Sequence, residues 1–397
     1  MTRVLSTSPQ RPSDVVADVP AADPAAVAAA DAARAAQREW ARSAPAVRAA
    51  ALSAGADAVV AHAGELAELV VREVGKPAAE ARGEVARAVA ILRYYAQQCF
   101  DPVGETYPGA LDFTVRRPRG VTGLITPWNF PVAIPVWKAA PALAHGNAAV
   151  VKPSPEAAAC ALRLAELLTP HLPPGLLTVH PGHGDAGAAL VDTADAVSFT
   201  GSTAVGRRVA ARGAERGIAV QCEMGGLSAA IVLPDADVER AATHIASAAM
   251  GFAGQKCTAT KRVIVVGDPA AFTEALCEKV RALRVGDPSE DGVAVGPLIT
   301  EAARDRVRAA RAGRVVVTGG DADGGWYAAP TVVTDLPLDA PLNTSETFGP
   351  LCTLTTAPDA ATASASPTAP RTAWSPPSTP TTWPPRSSTS PNARRAW

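Results

Sequence analysis

From residue 121 the chain settles into one rhythm, and that rhythm limits its fold more than any other feature. Short β-branched runs, "VTGLIT", "NAAVVK", "LLTVH", "DAVSFT", "IAVQCEM" and "SAAIVL", alternate with segments of helical periodicity. Strands separated in this way are joined by crossovers rather than hairpins, so the pattern predicts βαβ units and a parallel sheet covered by helices. Ligands of such sheets gather beyond the carboxyl ends of the strands.

The flanking regions read differently. Residues 24 to 100 are Ala-rich, with apolar positions at three- and four-residue spacing through "ALSAGADAVVAHAGELAELVVREVG" and "GEVARAVAILRYYAQQ", which predicts consecutive amphipathic helices broken at "GKP", 75 to 77. "TYPGALDFTVRRPRG", 106 to 120, alternates like an exposed strand pair and is expected to form a subunit arm. A second α/β stretch, from about 225 to 355, carries a helix over 236 to 252, the strand "KRVIVVG" and the helix "PAAFTEALCEKVRALRVG". After residue 363 the chain turns to Ser, Thr, Pro and Ala with almost no aliphatic residues.

Composition removes several classes of function. With 397 residues and 48% hydrophobic content the chain can bury a large core. Its 37 Lys and Arg against 38 Asp and Glu, with no long basic run, argue against a nucleic-acid partner. The amino terminus lacks the apolar core of a signal peptide, and no stretch of about 18 uncharged apolar residues offers a membrane span, so the expected location is the cytoplasm without membrane attachment. Six scattered cysteines without CxxC spacing, and six histidines without an HxxxH pair, argue against a disulfide framework or a metal site.

Five short stretches carry chemistry, and each alone has an ordinary structural reading. "SFTGSTAVG" takes a strand through Gly201, Ser202 and Gly206 into a helix, which suits either an anion at the helix N-terminus or a tight turn. "VVKPSPE" puts Lys152 just past a strand, as a ribose partner or a surface lysine. "TPWNFP" holds Asn129 between aromatic rings and prolines, as a rigid oxyanion donor or a loop amide. "QCEMGG" ends a strand with Glu223; buried there, a carboxylate would titrate high and serve as a general base, and otherwise it is a surface acid. "GFAGQKCTAT" places Cys257 beside a lysine, as a nucleophile or a core thiol.

Taken together and in order, "PWNF", "VVKP", "FTGS..VG", "EMGG", "GQKC" and, further on, "ETFGP" resemble the aldehyde dehydrogenase superfamily, with Glu223 and Cys257 34 residues apart. The resemblance runs from residue 20 to about 360. It implies an α/β fold with a Rossmann-type parallel sheet: an NAD(P)-binding domain of residues 1–105 and 121–224, an oligomerisation arm of 106–120, and a catalytic domain of 225–363. It also implies a homo-oligomer where the carboxyl-terminal elements are intact. The implied catalytic residues are Cys257 as nucleophile toward an aldehyde, Asn129 as oxyanion donor and Glu223 as base for thioester hydrolysis. The implied cofactor groove is Thr126, Pro127, Trp128, Lys152, Ser154, Gly201, Ser202, Gly206, Glu346 and Phe348. Relatives that prefer NAD often carry Glu three residues after the lysine; here Pro155 stands there and Glu156 follows, which leaves NAD and NADP both open. Leu227 replaces a commonly found lysine, a change with no evident consequence. The substrate context looks most like members acting on ω-oxo acids such as 2,5-dioxopentanoate. A catalytically silent nucleotide-binding remnant and a CoA-acylating enzyme are the other two readings.

The family continues past "ETFGP" to a segment of the form "AN.T.YGL.A.V.T", whereas this chain gives "ASASPTAPRTAWSPPSTPTTWPPRSSTSPNARRAW". Restoring one base near Ala363 permits "ALRIANGTENGLVAAVYTDDLAAAL". Trp374 before Ser375 then forces Val where serine is TCN, and Trp383 before Pro384 forces Ala. Residues 364–397 are therefore expected to be an off-frame product, the alternative being a disordered tail.

Overall fold

The structure is a computed structural model that describes residues 2–365 apart from 29–30, 107–108, 110–111, 312 and 338. The tail expectation thus falls almost wholly outside the described residues.

The alternating region builds a five-stranded parallel sheet in the order Leu177–Val179, Ala148–Lys152, Val121–Ile125, Ala196–Gly201, Ala219–Met224. Val121–Ile125 is central, paired on both edges and buried at all its residues but the half-buried Thr122, and its Gly123 leaves room for Leu190 and Ala194 packed above it. The chain winds from this strand to one edge and then returns to the other side, which opens a crevice at the carboxyl ends next to Ile125. Pro45–Ala61, Ala78–Gln98, Ala133–Ala144 and Ala158–Leu168 pack against one another, and Gly184–Thr193 packs with Thr203–Arg216.

A second sheet follows in the order Ala229–Val232, Arg262–Val266, Leu351–Ala357, Thr331–Thr334, Arg314–Thr318, parallel except for its last, antiparallel pair. Helices Val238–Met250 and Ala270–Arg281 pack together beside it. The α-helix expected over 236 to 252 stops at Met250, because Phe252 and Ala253 both take left-handed backbone with φ of 51°.

Two hairpins stand outside the sheets. Gly104–Thr106 pairs antiparallel with Phe113–Val115, an exposed ribbon that begins before and ends short of the stretch expected over 106 to 120, with Phe113 and Val115 largely in solvent. Arg3–Ser8 pairs with Arg11–Pro20, an element no sequence expectation covered. It is pinned by Ser6 Oγ, which donates to Glu73 Oε1 at 2.7 Å, while the same buried carboxylate accepts the Ala159 and Cys160 amides. No single helix among the described residues is long and apolar enough to cross a membrane.

Candidate active site

The carboxyl ends of the first sheet face the second sheet across a cleft of about 410 Å³. Pro127, Trp128, Asn129, Gly201, Ser202, Glu223, Cys257, Glu346 and Phe348 all line it. Segments up to 221 residues apart in sequence, Phe348 and Pro127 being the extremes, are thereby brought to one place. Thr126, Lys152, Ser154 and Gly206 do not reach its wall. Thr126 and Lys152 are buried beside it, Ser154 donates its hydroxyl to Glu156, and Gly206 lies under Met224 and Phe199, where a Cβ would come within 2.5 Å of the Met224 sulfur. Gly206 serves the packing of helix Thr203–Arg216 on its strand.

The nucleophile candidate sits on a strained loop. Phe252, Ala253 and Gly254 have φ of 51°, 51° and 64°, a run of left-handed residues that only surrounding contacts can hold. Lys261 Nζ donates to the Gly254 carbonyl, and a Cβ at Gly254 would lie 2.1 Å from the Gly349 carbonyl oxygen. The Cys257 thiol that follows is half-buried. Burial pushes its pKa above the ordinary thiol value, the Glu346 and Glu223 carboxylates add to the rise, and the Cys257 and Thr258 amides oppose it. The resting group is a thiol, so attack on a carbonyl requires a proton acceptor.

Asn129 is buried, and its Nδ2 donates one bond, 3.0 Å, to the Gln255 carbonyl. That leaves the second N–H of the amide for a ligand. Gln255 is itself fixed, accepting from Ile299 N at 2.9 Å and donating to the Pro297 carbonyl at 3.1 Å. Trp128 meets Phe348 edge-on at 5.6 Å and Phe252 at 6.3 Å between ring centres, an aromatic wall joining the two halves of the cleft.

For Glu223, left open between a buried base and a surface acid, the structure shows the exposed setting. It stands exposed on the open face of an edge strand rather than buried, because that strand presents alternate residues to solvent. Its Oε1 accepts from Gln221 Nε2 at 3.1 Å; Gln221 Oε1 accepts from Ser198 Oγ at 2.7 Å, and Ser198 Oγ accepts from Lys138 Nζ at 2.6 Å. Burial brings Lys138 down to about 8, Glu223 partly opposing the fall.

Glu346 is raised to about 7 by burial, opposed by the Lys261 ammonium and the Gly226 amide, and its Oε1 is buried without a partner. Because its charge contributes to the high pKa of Cys257, Glu346→Gln is expected to move the pH profile of iodoacetamide alkylation at Cys257 toward lower pH. A midpoint that stays put or rises removes Glu346 from the electrostatics of the thiol.

Sequence reasoning missed one side of the cleft. Ile299, Thr300, Ala303 and Arg306 line it from the helix Glu301–Ala309 and the turn before it. Arg306 is the one cation among the described lining residues. Its helix carries an ordinary amphipathic pattern, and only the preceding "GPLIT" turn sets it apart.

A thiol, a rigid amide and two carboxylates thus face a parallel sheet with a glycine turn at its carboxyl edge. The sequence model for the aldehyde dehydrogenase family matches residues 2–366, ending where the composition changes. The alpha-ketoglutaric semialdehyde dehydrogenase of Bacillus subtilis is 38% identical over 335 residues, 79% of this chain and 69% of that protein. A betaine aldehyde dehydrogenase of Cereibacter sphaeroides is 42% identical over 332 residues, 79% of this chain and 68% of that protein. An aldehyde dehydrogenase from Bacillus cereus, solved as an NAD+ complex, superposes with a TM-score of 0.88 at 32% identity, over 92% of this chain and 78% of that one. The chain belongs to the aldehyde dehydrogenase family.

Proposed function

We propose that the protein oxidises an aldehyde to a carboxylic acid through a covalent Cys257 thioester, with NAD or NADP as cofactor. The observation that carries this reading is the convergence of Cys257, Asn129, Glu223 and Glu346 on one cleft at the carboxyl ends of a parallel sheet.

The residues present fit a dinucleotide. Helix Thr203–Arg216 begins at Ser202 with no side-chain cap, so its first-turn amides are available to a pyrophosphate. Glu346 Oε1, in the cleft wall, is buried and unpartnered, a polar atom that a ribose hydroxyl would satisfy. Lys152 and Ser154 would hold the adenosine end, Ser202 the pyrophosphate, and Glu346 with Phe348 the nicotinamide end. When bound, the cofactor supplies the acceptor for the hydride that leaves the substrate carbon.

The chain's own groups do the rest. Cys257 Sγ adds to the aldehyde carbon as its thiol proton passes to solvent water in the open cleft, and the resulting oxyanion is met by the free Asn129 N–H and the Cys257 amide. After oxidation the acyl group remains on Sγ. Glu223 takes a proton from water, hydroxide adds to the thioester, and the acid leaves as the thiol is restored. The exposed setting of Glu223 gives it direct access to that water.

Glu156 lines the cleft and holds the Ser154 hydroxyl. We assign it the task of repelling a 2′-phosphate, which makes NAD the preferred cofactor. The similarity to an alpha-ketoglutaric semialdehyde dehydrogenase, with Arg306 as a counter-charge in the cleft, supports an ω-oxo acid as substrate. Division of the chain into a cofactor domain, an arm and a catalytic domain, with the arm pairing copies of the chain, belongs to the same reading.

The test is an aldehyde panel with NAD and with NADP, scored by reduced cofactor and by acid product. 2,5-Dioxopentanoate is expected to exceed succinic semialdehyde and a trimethylammonium aldehyde in kcat/KM, and NAD to exceed NADP. Glu156→Gln is expected to raise the NADP to NAD ratio about tenfold, the effect of removing roughly 1.4 kcal/mol of like-charge repulsion. A ratio unmoved by that change refutes the role of Glu156, and a cationic aldehyde at the head of the panel refutes the substrate class. Formation of acyl-CoA in place of the acid would instead identify a CoA-acylating enzyme.

A further inference from the structure

Lys76 and Glu84 are paired with each other, and both side chains are fully enclosed where helix Ala78–Gln98 begins. A buried ion pair gains little over apolar side chains of the same volume, so its presence points to a task other than stability. Its other bonds all lead to the segment that carries Asn129. Lys76 Nζ donates to the Asn129 carbonyl at 2.7 Å and lies 3.8 Å from the centre of the Phe130 ring. Glu84 Oε1 accepts from the amides of Val132, 2.9 Å, and Ala133, 3.0 Å, at the start of helix Ala133–Ala144, where Val132 supplies no side-chain cap. The pair therefore grips residues 129–133 at both ends.

Lys76 and the first turn of the same helix also reach the Cys257 loop. The Lys76 ammonium is 4.7 Å from the Phe252 ring centre, and Glu80, one turn before Glu84, pairs with Lys256 at 3.2 Å. The bond from Asn129 Nδ2 to the Gln255 carbonyl closes the ring of contacts.

We infer that Lys76 and Glu84 are positioning residues that hold the free N–H of Asn129 against the place where the oxyanion forms on the Cys257 adduct. The inference rests on the reading of Asn129 as an oxyanion donor. Such a donor works only if it is fixed before charge develops, and a misplacement of about 1 Å costs on the order of 10²-fold.

The probe is p-nitrophenyl acetate, which acylates a nucleophilic thiol and releases p-nitrophenolate without any cofactor. The Lys76→Met/Glu84→Gln chain removes both charges and the bond to Asn129, yet keeps an amide oxygen for Val132 and Ala133. Its unfolding midpoint, its affinity for NADH and the rate at which iodoacetamide alkylates Cys257 are expected to stay close to those of the unaltered chain. First-turnover nitrophenolate release is expected to fall about 10- to 100-fold. Asn129→Ala alone is expected to lower it about 10²- to 10³-fold, with no further loss when the two changes are combined. Release within threefold of the unaltered chain in the double variant, or losses that simply multiply, would overturn the inference. An Asn129→Ala chain that acylates at full rate would overturn the oxyanion reading and the inference with it. Glu84→Asp guards against failure of the double variant to fold: it keeps the charge but is too short to serve both amides and Lys76, and full activity there also overturns the inference.

Discussion

Cys257→Ala is expected to lose aldehyde-dependent cofactor reduction by a factor of about 10⁴ or more, the scale seen when a covalent nucleophile is deleted from a site whose groups act as a unit. No other cysteine can stand in. Among the described residues lining the cleft Cys257 is the one thiol; Cys99, Cys160, Cys277 and Cys352 are buried elsewhere in the core, and Cys222 points its sulfur at the Gly206 carbonyl. The change removes one sulfur from a half-buried position, so the unfolding midpoint is expected to shift by only a few degrees. NADH titration should show affinity within about twofold of the unaltered chain, because the groups assigned to the cofactor lie on other segments. That combination, binding kept and turnover lost, separates an enzyme from a nucleotide-binding remnant, in which neither chain would turn over. Turnover retained in the alanine chain would end the covalent mechanism, whatever the cofactor measurements showed.

How much of this was legible depended on how far apart in sequence the cooperating residues lie. The parallel sheet was readable because each strand and its crossover helix announce themselves within about a dozen residues. Cleft residues such as Asn129, Glu223, Cys257 and Glu346 were reached only through six motifs taken in order as a resemblance, and Ile299, Thr300, Ala303 and Arg306, which belong to none of those motifs, were not reached at all. The hairpin Arg3–Ser8 with Arg11–Pro20 was not readable either, because what pins it is Glu73, 67 residues beyond Ser6. The run "GFAG" continues a helical pattern, and no local signal tells that Phe252 and Ala253 are forced left-handed. Lys76 stands in the break between two helices and Glu84 on the second of them, and no local signal tells that packing encloses both and pairs them. For Glu223 the sequence left a buried base and a surface acid both open, and only the edge position of its strand shows that it is exposed.

That exposure shapes the second large effect. Glu223→Gln is expected to leave the first turnover intact while steady-state turnover falls about 10²- to 10⁴-fold, the usual worth of a general base. The amide can still bond to Gln221 Nε2 through its oxygen, so geometry is kept and only the proton acceptor is lost. Rapid mixing should therefore show a burst of reduced cofactor approaching one equivalent per site. Mass spectrometry of the quenched protein should show an acyl group on the peptide containing Cys257. A burst followed by slow release requires that oxidation precede the step Glu223 serves. If instead the burst vanished along with the steady state, Glu223 would be the acceptor of the Cys257 proton. The elevated pKa of the thiol makes that outcome chemically meaningful, because burial and two neighbouring carboxylates leave it protonated at rest. Unchanged steady-state turnover would place the water-activating base elsewhere. The two carboxylates of the cleft would then need to exchange roles, Glu346, with its pKa of about 7, being the candidate acid–base group.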